Sequence, residues 1–558
     1  MDENQNKLTK FWHELKRRKV PGVIIVYATT AFILIQLANL LENTLNLPSW
    51  FDTVITIALI IGFPIAIIFS WIFDVSSKGI SKTEPEKAPT ATTEKTVPEK
   101  SIIVLPFENI SSDPEQEYFS DGLTEEIITD LSYISDLLVI SRSSAMTFKG
   151  TKQTIKEIAS KVGVRYVLEG SVRKSGNNLR IVAQLIDSAN DSHIWAEKYN
   201  GTLDDIFDIQ ENVSRSIAGE LKLKLDINPS TSSDIQDIEI FEAHYKALND
   251  VYRFKEKDIL KAIKELDEAI LKVGNHALLH TTKAWAMWNL VTSGFKPHEY
   301  LYEAKKVIQQ ALKIAPESAR AYAVLGWIEM MIDMKKSIKY YKKALSMDAN
   351  DSFALQGIII ISSTLGKKKP SIDYINRLQR IDPLNYLTRW LRGAIYFYTG
   401  DFKQSHHEWL NLHKTYPTFA STNFFVALSM LYFQSKSKVI DFITRTIDYN
   451  SKQYYDKLLR MLLYVLENNI NEFYNELNDD FLKNNKNDWT ITHHLAVFFS
   501  MMQMKNESLT WLGKSVDAGF YNYPMISEKD TLLDNVRGEK KFTEIVKKAK
   551  YEWENFEV

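Results

Sequence analysis

ALKIAPESARAYAVLGW, beginning at Ala311, aligns with ALSMDANDSFALQGI from Ala344, RLQRIDPLNYLTRWLRGAIYFYTGDF from Arg377 and NLHKTYPTFASTNFF from Asn411. In this register Ala311, Ala344, Leu378 and Leu412 are spaced 33, 34 and 34 residues apart. Each is followed, five residues on, by Pro316, Ala349, Pro383 or Pro417. An earlier unit carries Ala262, Ala269 and Gly274 in the same relation. Small residues (Ala262, Ala304, Ser337, Ser371 and Ser405) recur seven positions before each anchor, where neighbouring helices must approach closely. A period of this length describes a helical hairpin that cannot bury its apolar face alone. Stacked copies share one core and curve into a superhelix with a concave groove.

These residues resemble the tetratricopeptide-repeat family over about 240–450. The clearest unit is WLRGAIYFYTGDF from Trp390, with Gly393, Tyr396, Gly400 and Asp401 in place. Beyond Thr446 the pattern decays, although SLTWLGKSVDAGF near Ser508 reads as one more outer helix. DNVRGEKKFTEIVKK (Asp534–Lys548) resembles the polar segment that closes such arrays. The resemblance implies an all-α superhelix over 239–558, with degenerate C-terminal repeats and a cap, whose groove holds a protein or peptide partner. On the expected inner helices, Arg320, Trp327, Gln356 and Trp390 stand at positions less needed for packing and are the groove candidates.

Upstream, the pattern changes. SIIVLPF from Ser101 is a β-branched run ended by proline, and a helix is expected from Asp121, where Ser120, Asp121 and Thr124 offer caps. A strand LLVISR, a helix over Thr151–Val162 and three strands, VRYVLEGSVRK, LRIVAQLIDS and HIWAEKYN, follow. A last helix from Asp204 repeats Ile206, Ile209, Val213, Ile217 and Leu221 at helical spacing. The result is a small α/β domain over 101–225, joined to the array by a linker at 226–238. SIIVLPFENISSDPEQEYFSDGLTEEIITDLS, with KGTKQTIKEIASKVGVRYVLEGSVRK and LRIVAQLIDSANDSHIWAEKY, resembles the TolB-like domain of bacterial multidomain proteins. That family sets the domain before tetratricopeptide repeats and after a sensor, regulator, cyclase or membrane hairpin. Glu125 and Glu126 are adjacent on the first helix and diverge by about 100°, so they read as charge at a helix N-terminus rather than as a catalytic pair.

Two apolar runs, Val20–Leu41 and Phe51–Phe73, are each long enough to cross a membrane at 1.5 Å per residue. Lys7, Lys10, Lys16, Arg17, Arg18 and Lys19 precede them, and Lys78, Lys82 and Lys87 follow. This charge bias predicts a basic cytoplasmic flank (1–19), a two-helix membrane anchor (20–73) and a flexible linker (74–100). Localisation is then multi-pass in the bacterial inner membrane, with both termini cytoplasmic. Residues Asn4–Lys19 suit a short amphipathic helix at the lipid interface.

At 558 residues and a net charge of -2, from 68 basic and 70 acidic side chains, the chain has no global field to draw nucleic acid. Apolar residues at 45% are enough for sizeable cores, and the absence of cysteine excludes disulfides and thiolate chemistry. No nucleotide-binding loop, HExxH or GxSxG occurs. His406 with His407 and His493 with His494 are adjacent rather than three or four apart, so they do not read as metal ligands, and Gly366–Lys369 reads as a solvated turn. No cofactor and no enzyme activity are expected. The expectation is a membrane-anchored scaffold or adaptor, with the α/β domain as a binding or dimerising surface. Its rivals are a non-catalytic component of a signalling system whose cyclase or sensor output is encoded separately, an envelope assembly factor, and a cryptic enzyme.

Overall fold

The computed structural model describes residues 27–38, 50–76, 79–82, 97–111, 113, 116–134, 136–223, 237–451, 453–479, 481–482 and 488–558. They fall into two compact units, Met1–Thr96 and Val97–Val558. The basic flank, its amphipathic helix and most of both linkers lie outside the described residues.

In the first unit, 27–38 is helical, as is Phe51–Ile72, and Phe73–Ser76 pairs antiparallel with Gly79–Lys82. The Tyr27 hydroxyl donates to the Leu59 carbonyl at 2.7 Å, which ties the two helices together. Among the described residues no helix is long and apolar enough to cross a membrane. This corrects the expectation of two transmembrane helices and of a multi-pass location with both termini cytoplasmic. The described helix of the first run would extend about 18 Å, against roughly 30 Å for a hydrocarbon core. The second carries Pro64 inside it, where the ring removes a backbone donor.

The second unit opens with a sheet. Strands β1 (Ser101–Val104), β2 (Leu138–Val139), β3 (Tyr166–Ser175), β4 (Asn178–Asp187) and β5 (Ser192–Thr202) lie in the order β2-β1-β3-β4-β5. The first two contacts are parallel and the last two antiparallel. Parallel neighbours need crossovers, which α1 (Glu117–Ser132) and α2 (Ile155–Val162) supply. Thr154 and Glu157 start α2 with a reciprocal capping box, and Gly163, at φ 75, ends it in the left-handed region that glycine enters freely. The antiparallel part reads from its alternation: Leu179, Ile181, Ala183 and Leu185 of β4 point into the core. Ile206, Ile209, Val213 and Ile217 of α3 (Ile206–Glu220) form its buried stripe.

A run of helical hairpins follows: α4 (Ile238–Val251) with α5 (Glu256–Val273), α6 (Ala277–Thr292) with α7 (Tyr300–Ile314), and α8 (Ala319–Met330) with α9 (Met334–Met347). Next are α10 (Ser352–Thr364) with α11 (Lys368–Ile381), α12 (Tyr386–Tyr398) with α13 (Phe402–Thr415), and α14 (Ala420–Met430) with α15 (Lys436–Thr446). Then come α16 (Tyr454–Glu467) with α17 (Ile470–Glu476), and α18 (Trp489–Met501) with α19 (Lys505–Ala518), before α20 (Lys540–Glu554). This is a tetratricopeptide-type superhelix. Side chains of Ser318, Asp333, Asp351, Asn385, Asp401 and Asp488 cap successive helices by accepting from backbone N–H groups.

The small residues of the repeat do close the stack. Ser337, Ser371 and Ser405 are fully buried, and the Ser337 hydroxyl donates to the Gly326 carbonyl of the preceding helix at 2.8 Å. Tyr341 is wedged against Gly326 and Gly357, where a Cβ would collide with its ring. Trp409 fills the same role against Gly393. Past Thr446 the helices continue in pairs, so the decay of the pattern reflects altered side chains on a retained fold. The C-terminal segment returns along the turns within earlier hairpins. The Trp553 indole donates to the Leu365 carbonyl, Asn522 to the Tyr398 carbonyl, and the Lys335 ammonium pairs with Glu552.

Candidate functional site

The expected groove is lined by the inner helices α6, α8, α10, α12, α14 and α18, and much of it is filled by the chain itself. Of α14 only Ser421 is more than slightly exposed, and α8, α10 and α18 are buried over most of their faces. Aromatic side chains do the filling. Trp285 stacks on Trp288 with centroids 4.6 Å apart, and both meet Trp327 edge to face. Indole N–H groups then stitch inner helix to inner helix: Trp288 donates to the Trp327 carbonyl and Trp327 to the Phe353 carbonyl, each at 3.1 Å.

The four groove candidates fall in different surroundings. Trp327 and Gln356 are 5% and 7% exposed and belong to the packed wall. Arg320 keeps 44% of its side chain in solvent, pairs with Asp351 at 3.2 Å and lies over the Phe353 ring at 4.2 Å. Trp390 is half-buried on α12, an inner helix that stays partly open. Tyr386, Leu387, Arg389, Arg392 and Tyr396 of that helix are partly exposed with it. A cleft of about 110 Å³ borders the helix, lined by Ile372, Asn376, Gln379, Arg392 and Tyr396 among others. Unlike Trp288, Trp327 and Trp409, Trp390 has an enclosed indole N–H that finds no acceptor among the described residues. An unpaired buried donor costs roughly 1–3 kcal/mol.

The α/β domain meets the array twice. At the first contact α1 packs on α4: Phe241 is fully buried, with its ring centroid 5.5 Å from that of Phe119 and 4.7 Å from that of Tyr245. Gly122 of α1 sits so close that a Cβ would lie 2.6 Å from Tyr245 Cδ2 and 2.8 Å from Phe241 Cζ. Here the two adjacent glutamates separate. Glu125 pairs with Arg142 at 3.1 Å, whereas Glu126 accepts from the Tyr245 hydroxyl at 2.6 Å. His244 shares a hydrogen bond with Thr282 at 2.6 Å; burial, together with the charges of Arg320 and Arg142, holds its pKa down at about 3, so it is neutral.

At the second contact the Asp382 carboxylate, at the turn between α11 and α12, is fully buried and accepts from three serines that follow β2, Ser141 as the cap and Ser143 and Ser144 within the single helical turn Arg142–Ala145. Ser141 and Ser144 donate to Oδ1 at 2.5 and 2.6 Å, and Ser143 to Oδ2 at 2.8 Å. The backbone joins in: Ser141 N donates to the Ile381 carbonyl at 2.7 Å and Leu384 N to Ser144 Oγ at 2.9 Å. Sequence reading picked out Pro383 at this corner and passed over Asp382. The aligned corners hold Ala315, Asp348 and Tyr416, and only the fold shows which of them meets the serines.

The other motifs are structural. His493 lies 3.2 Å from Asp530, and burial with the neighbouring His493 lowers His494 to about 3. Lys367 of the Gly366–Lys369 turn donates to the Trp553 carbonyl at 2.9 Å, while Lys368 and Lys369 are exposed. Among the described residues no cluster of three or more His, Asp or Glu side chains could hold a metal ion.

Residues 98–216 match the family described as HilA/YgeH-like transcriptional regulator, second domain, in place of the TolB-like family that the motifs had suggested. A Rhizobium meliloti (strain 1021) protein described as "Putative adenylate cyclase 3" is 54% identical over 125 residues, 22% of this chain and 21% of that protein. The match therefore spans about a fifth of that relative. Among solved structures, a tetratricopeptide repeat protein from Parabacteroides merdae ATCC 43184 is similar at 11% identity and a TM-score of 0.31, covering 54% of this chain and 99% of that one. Yeast Tom70 is similar at 14% identity and a TM-score of 0.33, covering 62% and 77% respectively. The tetratricopeptide-type fold rests on the chain's own evidence: helices paired in order, with a 33–34 residue register across Ala311, Ala344, Leu378 and Leu412.

Proposed function

We propose that this chain is a protein-interaction scaffold in which the array (239–558) holds a segment of a partner and the α/β domain (101–225) braces the array. The observation that carries this is the open strip on α12. Tyr386, Arg389 and Trp390 leave a partly exposed aromatic and basic surface on this inner helix. Large aromatic and arginine side chains are the usual anchors of protein interfaces. In this reading Trp390 and Arg320 touch the partner, and Trp327 and Gln356 shape the wall behind them.

A peptide array probed with the whole chain tests the proposal. Trp390→Ala is expected to weaken the retained sequences about tenfold, equivalent to about 1.4 kcal/mol. Equal binding by the variant, with the fold intact by circular dichroism, removes the strip from the interface.

A second reading is favoured by the 54% identity to the protein described as an adenylate cyclase: the chain serves a signalling system whose cyclase is encoded separately. Cyclic-nucleotide production by the purified chain would replace both readings with an enzyme.

A further inference from the structure

The two contacts between the α/β domain and the array differ in kind, and the second has the form of a binding site with its ligand in place. A buried carboxylate normally needs a cation or several hydrogen-bond donors. Among the described residues no cation pairs with Asp382. Arg142, which lies between two of the serines in sequence, is committed to Glu125, so neutral donors, three serine hydroxyls with the Asn385 side chain, hold the carboxylate. The serines follow β2 directly, beyond the carboxyl end of a parallel strand, on the side of an α/β sheet where ligands bind. The residues brought together are 238 to 241 positions apart in sequence, and the donors converge on both oxygens of one side chain.

We propose that the Ser141–Ser144 segment, a cap and the first turn of a short helix, is a carboxylate-binding clamp whose resident ligand is Asp382 of the same chain, and that this contact is a releasable latch between the α/β domain and the array. Phe241 and Gly122 anchor the domain at α4 by close apolar packing, so it stays attached there when the latch opens. Opening frees the corner formed by Ile381, Asp382 and Leu384, directly ahead of α12. An acidic side chain of a partner is the chemistry that would compete for the clamp. The latch does not depend on α12 being the partner strip, because its evidence is the clamp alone.

The chain has no cysteine, so two can be introduced for paired spin labels in the full-length protein, at exposed Lys156 of α2 and exposed Lys403 of α13. The expected result is one narrow distance distribution with Asp382 present and its loss in Asp382→Ala. Sodium acetate, at ionic strength matched with sodium chloride, is expected to restore the narrow distribution in Asp382→Ala where chloride does not. Ser143→Ala, which removes a single hydroxyl, should broaden the distribution less and serves if Asp382→Ala does not fold. A narrow distribution in every folded variant overturns the latch. Broadening that acetate leaves unchanged overturns the carboxylate clamp.

Discussion

The α1–α4 contact and the Asp382 contact join the same two parts of the molecule with opposite materials. The first is apolar and close-packed: Phe241 is sealed between Phe119 and Tyr245, and Gly122 is the only residue that lets the helices approach so far. The second is polar, centred on one carboxylate and flanked by two bonds from backbone N–H groups. Apolar packing is lost in proportion to the volume vacated, so it resists partial opening. A hydrogen-bonded carboxylate can exchange its donors for water with a small net change. One contact therefore merges two domains into one core, and the other joins them at a point that can be undone.

The largest effect is expected from breaking the first. Phe241→Ala should cost about 3–5 kcal/mol, as for buried aromatic truncations generally, and lower the midpoint of the main denaturant transition. Separate transitions for the α/β domain and the array in wild-type protein would contradict a shared core. Asp382→Ala should matter less, about 1–3 kcal/mol, because it leaves three hydroxyls unpaired while relieving the burial of a charge. Its mark should be local: faster amide exchange at Ser141 and Leu384, whose N–H groups donate across the contact, with little change in the main transition.

Acid separates the two regions by sign. His244 and His494 are held at about 3 by burial, against an ordinary value of 6.5. The unfolded chain takes up their protons first, so stability from these groups is present above pH 6.5 and is lost as pH falls from there towards 3. For Asp382 burial raises the pKa, and the hydroxyls of Ser141, Ser144 and Ser143 and the side chain of Asn385 offset this only in part. A raised carboxyl pKa makes the opposite contribution, present at low pH and lost as pH rises through the folded-state value. Mild acidification should thus loosen the array while the latch holds or tightens. His494→Phe should flatten the acid limb of stability measured by chemical denaturation, and opening at Leu384, read by amide exchange, should not increase on going from neutral to mildly acidic pH. The smallest effect is expected from Thr154→Ala. It removes the capping box of α2, costs about 1 kcal/mol, and leaves both contacts and the label distance unchanged.

Residue patterns made some of this legible in advance. The spacing of Ala311, Ala344, Leu378 and Leu412 located the hairpins, and Ser337, Ser371 and Ser405 marked where they close. The stripe on α3 and the alternation on β4 followed from local periods. The apolar runs at the N-terminus read as spans by length and hydropathy alone. In the described residues neither run becomes a helix long and apolar enough. Trp327 and Gln356 were placed on an open wall because a repeat pattern tells inner from outer helix and says nothing about what fills the concave side. Trp285, Trp288 and Phe353 fill it.

The primary structure by itself determined a register of hairpins and an α/β sheet ahead of them, because both depend on periods of two, 3.6 and about 34 residues that neighbours along the chain impose on each other. Tertiary structure alone decided that the groove is largely sealed, that α12 stays partly open, and that Asp382 rather than Asp348 meets the serines. Those outcomes depend on contacts between residues separated by tens to hundreds of positions. Such contacts leave no periodic trace, and their strength comes from burial and from convergent donors that exist only after the chain has closed on itself.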